Sequence, residues 1–213
     1  MVIKAEYLET LSATDPILKQ LISSYPIPTF RKSDNFLHDL IKYIIFQQIS
    51  TKAGNTIYNR FLEFHSFNKP NSEFKWEEQD WKKIGLSHQK KSYIENLFDK
   101  NNLEMINKLS FINDSKEIRN LLISLKGIGP WTIDMFLIFS KHDLNIFPKG
   151  DLAVINVIKS LYGVDNMNDI ESIAKKWHPY QSIATLYLWE SLGDDFPNCL
   201  LYTSPSPRDC LLS

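Results

Sequence analysis

The stretch LKGIGPWTID, residues 125–134, interrupts a sequence that otherwise has helical periodicity almost throughout. The chain contains only seven glycines, and two of them, Gly127 and Gly129, stand here on either side of one isoleucine. An apolar helix is expected to end at the first glycine. Pro130 favours the start of a second helix, because its missing N–H and fixed φ suit the first helical position. The stretch therefore predicts two helices joined by a tight hairpin.

This hairpin has two interpretations. Glycines allow positive φ and leave the backbone bare, so the amides of Gly127 and Gly129 can approach an anion such as a DNA phosphate where the second helix begins. The alternative is purely structural, because a helix that ends at glycine before one that starts with proline is common in helical proteins. The two glycines alone do not decide between these interpretations.

The remaining segments also predict helices, without a strand pattern or a fixed-period repeat. Asp15 and Pro16 form a start signal for one helix, and the apolar spacing in FLHDLIKYIIFQQI predicts a core helix that reaches Gln48. Ser50 or Thr51 and Ser87 are suited to cap the next helices. Further helices are expected at about 115–125, 130–140, 152–162, 168–177 and 180–192, with a loop at 68–74. The predicted class is all-α.

Length, charge and hydrophobic content limit the size of the fold and the kinds of partner that the sequence indicates. With 213 residues, of which 43% are hydrophobic, the chain can form one domain or two small lobes. The formal net charge is −1, so no global positive charge indicates a nucleic acid partner. No long apolar run or signal peptide is present, so we expect a cytoplasmic protein without a membrane partner.

The C-terminal residues differ in composition from the rest of the chain. Residues 199–213 are rich in serine, proline and leucine, contain both cysteines, and resemble translated sequencing-adapter read-through. We therefore expect a non-native tail at 199–213 and a functional domain at 1–198. Without the tail the chain has no cysteine, which excludes a disulfide framework, a thiolate metal site and a cysteine-ligated iron–sulfur cluster.

A second motif, FPKGDLAVINVI, follows the hairpin. Its Pro-Lys-Gly loop places Asp151 at the start of a new helix, and the simplest role for this aspartate is an N-cap. A carboxylate at that place can also stabilise a developing cation, because it is fixed and the positive end of the helix dipole favours its charge. The two roles are compatible.

Six segments, in order along nearly the whole chain, resemble the helix–hairpin–helix superfamily of DNA glycosylases, and within it the short form of 3-methyladenine DNA glycosylase II. They are TDPILKQLI, IIFQQISTKAGNTIYNRF, IGLSHQKKSYI, LKGIGPWTIDMFLIF, FPKGDLAVINVI and WHPYQSIATLYLW. The resemblance implies a two-lobed all-α fold with an active-site cleft between the lobes. It also implies that Asp151 is the catalytic aspartate.

The activity implied is hydrolysis of the N-glycosidic bond of alkylated purines, 3-methyladenine and 7-methylguanine, flipped out of duplex DNA during base excision repair. Asp151 would stabilise the oxocarbenium-like sugar. Relatives that also cut the backbone carry a lysine nucleophile where this chain has Trp131, so we expect a monofunctional enzyme. We expect no required cofactor.

The resemblance also implies a base pocket and DNA contacts. Trp131, Trp189 and Met135 are expected to line the pocket, with Met135 standing where some relatives have tyrosine. A tryptophan face attracts a charged alkylated base by about 0.5–2 kcal/mol, although either tryptophan alone fits a core position. Gln48 is expected to fill the space of the flipped base, with Gln47 on the cleft wall; solvent-exposed glutamines at a helix end are the alternative.

Other DNA contacts are expected from the hairpin amides of Gly127 and Gly129 and from Lys149 and Lys90, which otherwise form ordinary solvated surface. The resemblance implies a monovalent cation on hairpin carbonyls, and a monomer that acts on double-stranded DNA with alkylated bases at the bacterial nucleoid. Two other functions stay open. One is a glycosylase for another lesion, such as a deaminated base, because the pocket differs from that of some relatives at Met135. The other is a non-enzymatic helix–hairpin–helix DNA-binding module, although Asp151 argues against it.

Overall fold

The computed structural model describes residues 2–30, 33, 35–67 and 77–193. Within these ranges the ordered elements are helices and no β-strand occurs, which confirms the predicted all-α class. The predicted loop at 68–74 and the tail at 199–213 lie outside the described residues. None of the described helices combines the length and apolar character that a membrane span requires.

Twelve α-helices lie within the described residues. In chain order they are α1 Ala5–Thr14, α2 Pro16–Ser24, α3 Phe36–Phe46, α4 Thr51–Phe67, α5 Glu78–Ile84, α6 His88–Leu97, α7 Lys100–Lys108, α8 Ser115–Leu122, α9 Pro130–Met135, α10 Leu152–Tyr162, α11 Met167–Lys175 and α12 Gln181–Glu190. A 3-10 turn at Leu109–Phe111 follows α7, and a π-helical segment at Phe136–Ser140 continues α9.

Several helix starts follow the predicted caps. Asp15 accepts two first-turn amides of α2, at 2.9 and 3.1 Å, and Pro16 occupies the first helical position. The Ser50 hydroxyl accepts the amide of the third residue of α4 at 3.4 Å, and the Ser87 hydroxyl accepts that of α6 at 3.3 Å. The sequence did not predict α1 and α5. It did not predict α7 either, where Asp99 accepts the amide of Asn101 and starts a new helix.

The chain forms two compact units, in agreement with the two predicted lobes. Among the described residues, one unit contains those from 33 to 136 and therefore α3 to α9; the other contains residues 2–30 and 137–193. The active-site cleft predicted between the lobes stays a prediction.

One helix is central in each unit. In the 33–136 unit, α3 buries every residue from Leu40 to Phe46 and packs against α4, α6, α7 and α9. In the other unit, α12 buries every residue from Ser182 to Trp189 and packs against α2 and α10. Both buried runs are mostly apolar, with Lys42, Ser182 and Thr185 as the polar members, which is typical of a helix enclosed by its neighbours.

Asp15 joins α2 to the later segment of its unit. Its Oδ2 atom accepts the phenol of Tyr162 and the indole N–H of Trp177, each at 2.8 Å, while Oδ1 accepts the α2 amides. Asp15 is buried, so these donors replace the water that its carboxylate loses on folding. Burial and the adjacent Asp15 carboxylate raise the pKa of Tyr162.

Candidate active site

Asp151 is the N-cap of α10, as predicted. Its Oδ1 atom accepts the amide of Val154 at 3.0 Å, and its own amide donates to the carbonyl of Pro148 at 2.8 Å, which closes a tight turn. The residue is 9% exposed. The carboxylate is therefore fixed at a helix N-terminus, where the helix dipole favours a negative charge.

Trp189 contacts the predicted catalytic carboxylate directly. Its indole N–H donates to Oδ1 of Asp151 at 3.4 Å, and its ring stacks on Phe139 with the centroids 5.6 Å apart and the planes at 21°. The side chain has no exposed surface in this structure. Trp189 thus positions Asp151 here, whereas its predicted role as a wall of the base pocket stays a prediction.

Trp131 and Met135 differ in burial although both belong to α9. Trp131 is the second residue of the helix and is half-buried, whereas Met135 at its end is fully buried. Every residue from Thr132 to Ser140 is buried, so burial begins after the first two residues of α9 and continues through the π-helical segment. Met135 therefore presents no surface to a ligand in this structure, and its place in the base pocket stays a prediction.

The predicted hairpin lies between α8 and α9, and its two glycines have different conformations. Gly127 has a φ of 85°, in the left-handed region, whereas Gly129 has a φ of −105° and a ψ of 177°, which any residue can adopt. The positive φ that the two glycines allow therefore occurs at Gly127 and not at Gly129. A Cβ atom on Gly127 would lie 2.1 Å from the ring of Tyr93, whereas no heavy atom lies within 4 Å of one on Gly129.

Helix α6 supports the hairpin from one side. The ring of Tyr93 lies against Gly127, and the Asn96 side-chain oxygen accepts the amide of Lys126 at 3.2 Å. The Lys126 ammonium donates to the hydroxyl of Ser92 at 2.8 Å. These residues recur at helical spacing, so one face of α6 holds the first half of the hairpin.

An ion pair joins the two helices of the hairpin motif. Arg119 in α8 donates through Nη2 to Oδ1 of Asp134 in α9 at 2.6 Å. The Asp134 side chain is only 7% exposed, which makes this pair less screened by solvent than a surface salt bridge. The pair is a direct charged contact between α8 and α9.

The two glutamines of FQQIS lie in a turn after α3. The helix ends at Phe46 and not at Gln48 as its periodicity predicted, and Gln48 is exposed with a φ of 57°. The Gln47 side-chain amide donates to the carbonyl of Gly127 at 2.9 Å and to the hydroxyl of Thr132 at 2.8 Å. The structure therefore brings Gln47 and the hairpin together, which the sequence did not predict.

The two predicted rim lysines have different surroundings. Lys149 is exposed two residues before Asp151, and its ammonium lies 3.6 Å from a carboxylate oxygen of Glu171. The Lys90 ammonium donates to the carbonyls of Ile45 and Gln47, each at 2.7 Å. Burial lowers the pKa of Lys90. Lys90 thus binds the end of α3, contrary to the expectation of a solvent-facing lysine, because α6 packs against α3.

Residues 41–180 match the model of a known family, the HhH-GPD superfamily base excision DNA repair proteins. The chain belongs to this superfamily. Members similar to it include DNA-3-methyladenine glycosylase 1 of Schizosaccharomyces pombe, which is 26% identical over 88% of this chain and 86% of that protein. The Bacillus subtilis protein YfjP is 30% identical over 72% of this chain, which spans 58% of that relative.

Solved structures of the superfamily have the same fold. The Schizosaccharomyces pombe 3-methyladenine DNA glycosylase Mag1, in complex with abasic DNA, has a TM-score of 0.76 at 23% identity and covers 90% of this chain and 99% of its own. The DNA-3-methyladenine glycosidase of Bacillus halodurans has a TM-score of 0.72 at 27% identity, with 90% and 91% covered. These similarities confirm the predicted helix–hairpin–helix glycosylase fold.

Proposed function

We propose that this protein is a DNA glycosylase that hydrolyses the N-glycosidic bond of alkylated purines, 3-methyladenine and 7-methylguanine, during base excision repair. The observation that carries the proposal is the fixed carboxylate of Asp151, held by the α10 N-terminus and by Trp189, in a member of the HhH-GPD superfamily. Relatives named for 3-methyladenine support the choice of substrate.

The chemistry requires one fixed negative charge. When the bond between C1′ and the base nitrogen breaks, the sugar acquires oxocarbenium character, and Asp151 stabilises that charge from a preorganised position. Water then supplies a hydroxyl group to C1′, and its proton leaves to solvent or to the departing base. An alkylated purine is a good leaving group because its ring carries a positive charge.

Trp131 supports a mechanism without backbone cleavage. A glycosylase that also cuts DNA needs an amine nucleophile for a Schiff base, and in this chain the corresponding place holds an indole. We therefore expect that borohydride treatment of the enzyme with damaged duplex traps no covalent adduct. An adduct would contradict the monofunctional assignment.

Base contact is assigned first to Trp131, because it retains exposed surface in the free protein. Its ring can attract the cationic base from a partly desolvated position. Contact by Trp189 or Met135 requires DNA binding to expose them, since both are fully buried here.

The proposed partner is double-stranded DNA bound by a monomer. The hairpin amides near Gly127 and Gly129 and the exposed Lys149 supply phosphate contacts, which suits a chain of formal net charge −1 that must bind through local groups. Tyr93, Asn96 and the Gln47 amide hold the hairpin in place, so its amides need little reorganisation on binding.

The hairpin also fits the monovalent cation that the superfamily resemblance implies. Backbone carbonyls are suitable ligands for hard cations. Within the described residues, the carbonyls of Leu125, Gly127 and Gly129 accept hydrogen bonds, whereas none reaches the alternating carbonyls of Ser124, Lys126 and Ile128. These three carbonyls would hold the cation, which would add positive charge near a phosphate.

The test compares Asp151→Asn with Asp114→Asn. Asparagine keeps the N-cap in both variants, so both should fold, and Asp114 is a matched control because it caps α8 in the same way. The substrate is duplex DNA treated with a simple methylating agent, and the released bases are identified by chromatography. We expect Asp151→Asn to slow release by about a hundredfold or more and to keep its affinity for abasic DNA, with no change in Asp114→Asn.

Other outcomes favour the other functions. Full release by Asp151→Asn would show that the catalytic assignment is wrong. Binding by the wild-type protein without release of any base would indicate a non-enzymatic DNA-binding module. Release of a deaminated base in place of methylated purines would indicate a glycosylase for another lesion.

A further inference from the structure

The turn after α3 holds an exposed glutamine in an unfavourable backbone conformation. Gln48 has a φ of 57°, in the left-handed region that residues with a Cβ atom rarely adopt. Such a conformation persists only when the surrounding contacts determine it, and residues of this kind cluster at functional sites. The contacts of the turn therefore show what holds Gln48 in place.

Lys90 holds the backbone on the N-terminal side of Gln48. Its ammonium donates to the carbonyls of Ile45 and Gln47, each at 2.7 Å. Carbonyls at a helix C-terminus lack intrahelical partners and carry the negative end of the dipole, so a cation suits this place. The lowered pKa of Lys90 is consistent with an ammonium that has exchanged water for these two oxygens.

Gln47 holds the same turn against the hairpin. Its side-chain nitrogen donates both hydrogens, one to the Gly127 carbonyl at 2.9 Å and one to the Thr132 hydroxyl at 2.8 Å. The residue directly before Gln48 is therefore fixed twice, through its carbonyl by α6 and through its side chain by the hairpin.

We propose that Lys90 and Gln47 are positioning residues, which together form a clamp that holds Gln48 ready to fill the space of a flipped base. The role of Gln48 rests on the proposed function, whereas the clamp rests on the four hydrogen bonds described above. In this proposal Lys90 acts through the turn and does not contact phosphate.

The salt dependence of DNA binding distinguishes a clamp from a phosphate contact. Each neutralised phosphate contributes about 0.9 to the slope of log K against log salt concentration for duplex DNA. A phosphate contact by Lys90 would therefore give Lys90→Met a smaller slope, as we expect for Lys149→Met. A clamp leaves the slope unchanged while the affinity falls.

The experiment measures affinity for a duplex that contains a tetrahydrofuran abasic-site analogue, by fluorescence anisotropy across a salt series. We expect Lys90→Met to weaken binding by about tenfold with an unchanged slope, and Lys90→Arg to restore most of it, since a guanidinium can donate to both carbonyls. A reduced slope in Lys90→Met would overturn the proposal.

The second measurement is whether the effects of Lys90→Met and Gln48→Ala on DNA affinity are additive. In the wild-type background Gln48→Ala should weaken binding, whereas in the Lys90→Met background it should add little, because the side chain is already misplaced. Lys91→Met is the matched control on the same helix, since Lys91 pairs with Glu78 and Glu95, and its effect should add to that of Gln48→Ala. Additive effects of Lys90→Met and Gln48→Ala would overturn the clamp.

Thr132→Val tests the other end of the clamp without a change of charge. It removes the hydroxyl that accepts from Gln47 and keeps the shape of the side chain, and it should show the same coupling to Gln48→Ala. This variant keeps the test decisive if Lys90→Met does not fold. A wild-type protein that binds the abasic duplex but releases no methylated base would contradict the proposed function alone, because the clamp assay requires no chemistry.

Discussion

The indole N–H of Trp189 and the amide of Val154 converge on one atom, Oδ1 of Asp151, at 3.4 and 3.0 Å. One donor belongs to α12 and the other to the helix that Asp151 caps. The orientation of the carboxylate thus depends on how α12 packs against α10, and the buried centre of the unit determines where the proposed catalytic charge points.

Replacing Trp189 by phenylalanine tests this dependence. The variant keeps an aromatic ring beside Phe139 but removes the N–H donor. We expect base release to slow by about tenfold, which is the smallest effect expected from the loss of a hydrogen bond to a charged group, because this hydrogen bond is long. Single-turnover release from methylated duplex measures it. Trp177→Phe is the matched control, since that buried indole donates to Asp15; it should lose stability without a comparable loss of rate. Equal rates for Trp189→Phe and wild type would show that the bond is not used.

The two hairpin glycines should respond differently to alanine. Gly127→Ala places a Cβ against the Tyr93 ring at a φ of 85°, so we expect a loss of about 2–4 kcal/mol in the free energy of unfolding. Gly129→Ala meets no heavy atom within 4 Å, and its stability should stay within about 1 kcal/mol of wild type. Its DNA affinity should nevertheless fall, because a methyl group then stands beside the phosphate-binding amides. Unchanged affinity in Gly129→Ala would contradict the hairpin contact.

Replacing Gln48 by glycine should increase the stability of the protein and weaken its DNA binding. Gln48→Gly relieves the left-handed conformation, and after the entropy cost of glycine we expect a gain of about 0.5–1 kcal/mol in urea unfolding. Base flipping, measured by 2-aminopurine fluorescence in duplex DNA, should weaken. Gln48→Ala is the control, since it also removes the side chain beyond Cβ but gains no backbone freedom. A stability loss in Gln48→Gly would mean that the positive φ is not strained.

Tyr162 should make the free energy of unfolding decrease with pH in the alkaline range. Its pKa is raised in the folded protein by burial and by Asp15, so its contribution is complete below the unfolded pKa of about 10 and is lost as the pH rises above that value. Tyr162→Phe should lower the free energy of unfolding at pH 7 by about 1–1.5 kcal/mol and flatten its decline above pH 10. Burial also raises the pKa of Tyr187, so part of the decline should remain. Parallel pH profiles for the variant and wild type would contradict this account.

The features predictable from the sequence were the local ones. Asp15, Ser87 and Asp151 cap helices through amides two or three residues ahead, so the sequence itself contains both partners. The hairpin was predictable for the same reason, because glycine and proline act on the backbone at their own positions. The two-lobed class followed from the resemblance of six segments rather than from any one of them.

The features that could not be predicted depend on packing. Trp189 and Met135 lie in segments whose residues are buried on every side, polar ones included, so the sequence pattern is the same whether the side chain lines a pocket or fills a core. Lys90 resembles a solvated lysine on α6 until α3 is placed beside it, since its carbonyl partners are distant in sequence. Gln47 likewise reaches a hairpin that only the tertiary fold brings near.

The arrangement of the two units along the chain has a consequence for synthesis on the ribosome. The 33–136 unit is one continuous segment and can be completed as soon as that segment has emerged. The other unit is formed by two separate segments of the chain. The Asp15 carboxylate lies in the first segment and its donors Tyr162 and Trp177 lie in the second, so these hydrogen bonds can form only after the second segment has emerged. Within this unit, α1 and α2 are therefore synthesised before the segment that completes the Asp15 hydrogen bonds, and the apolar side chains that they bury in the folded unit stay uncovered until then.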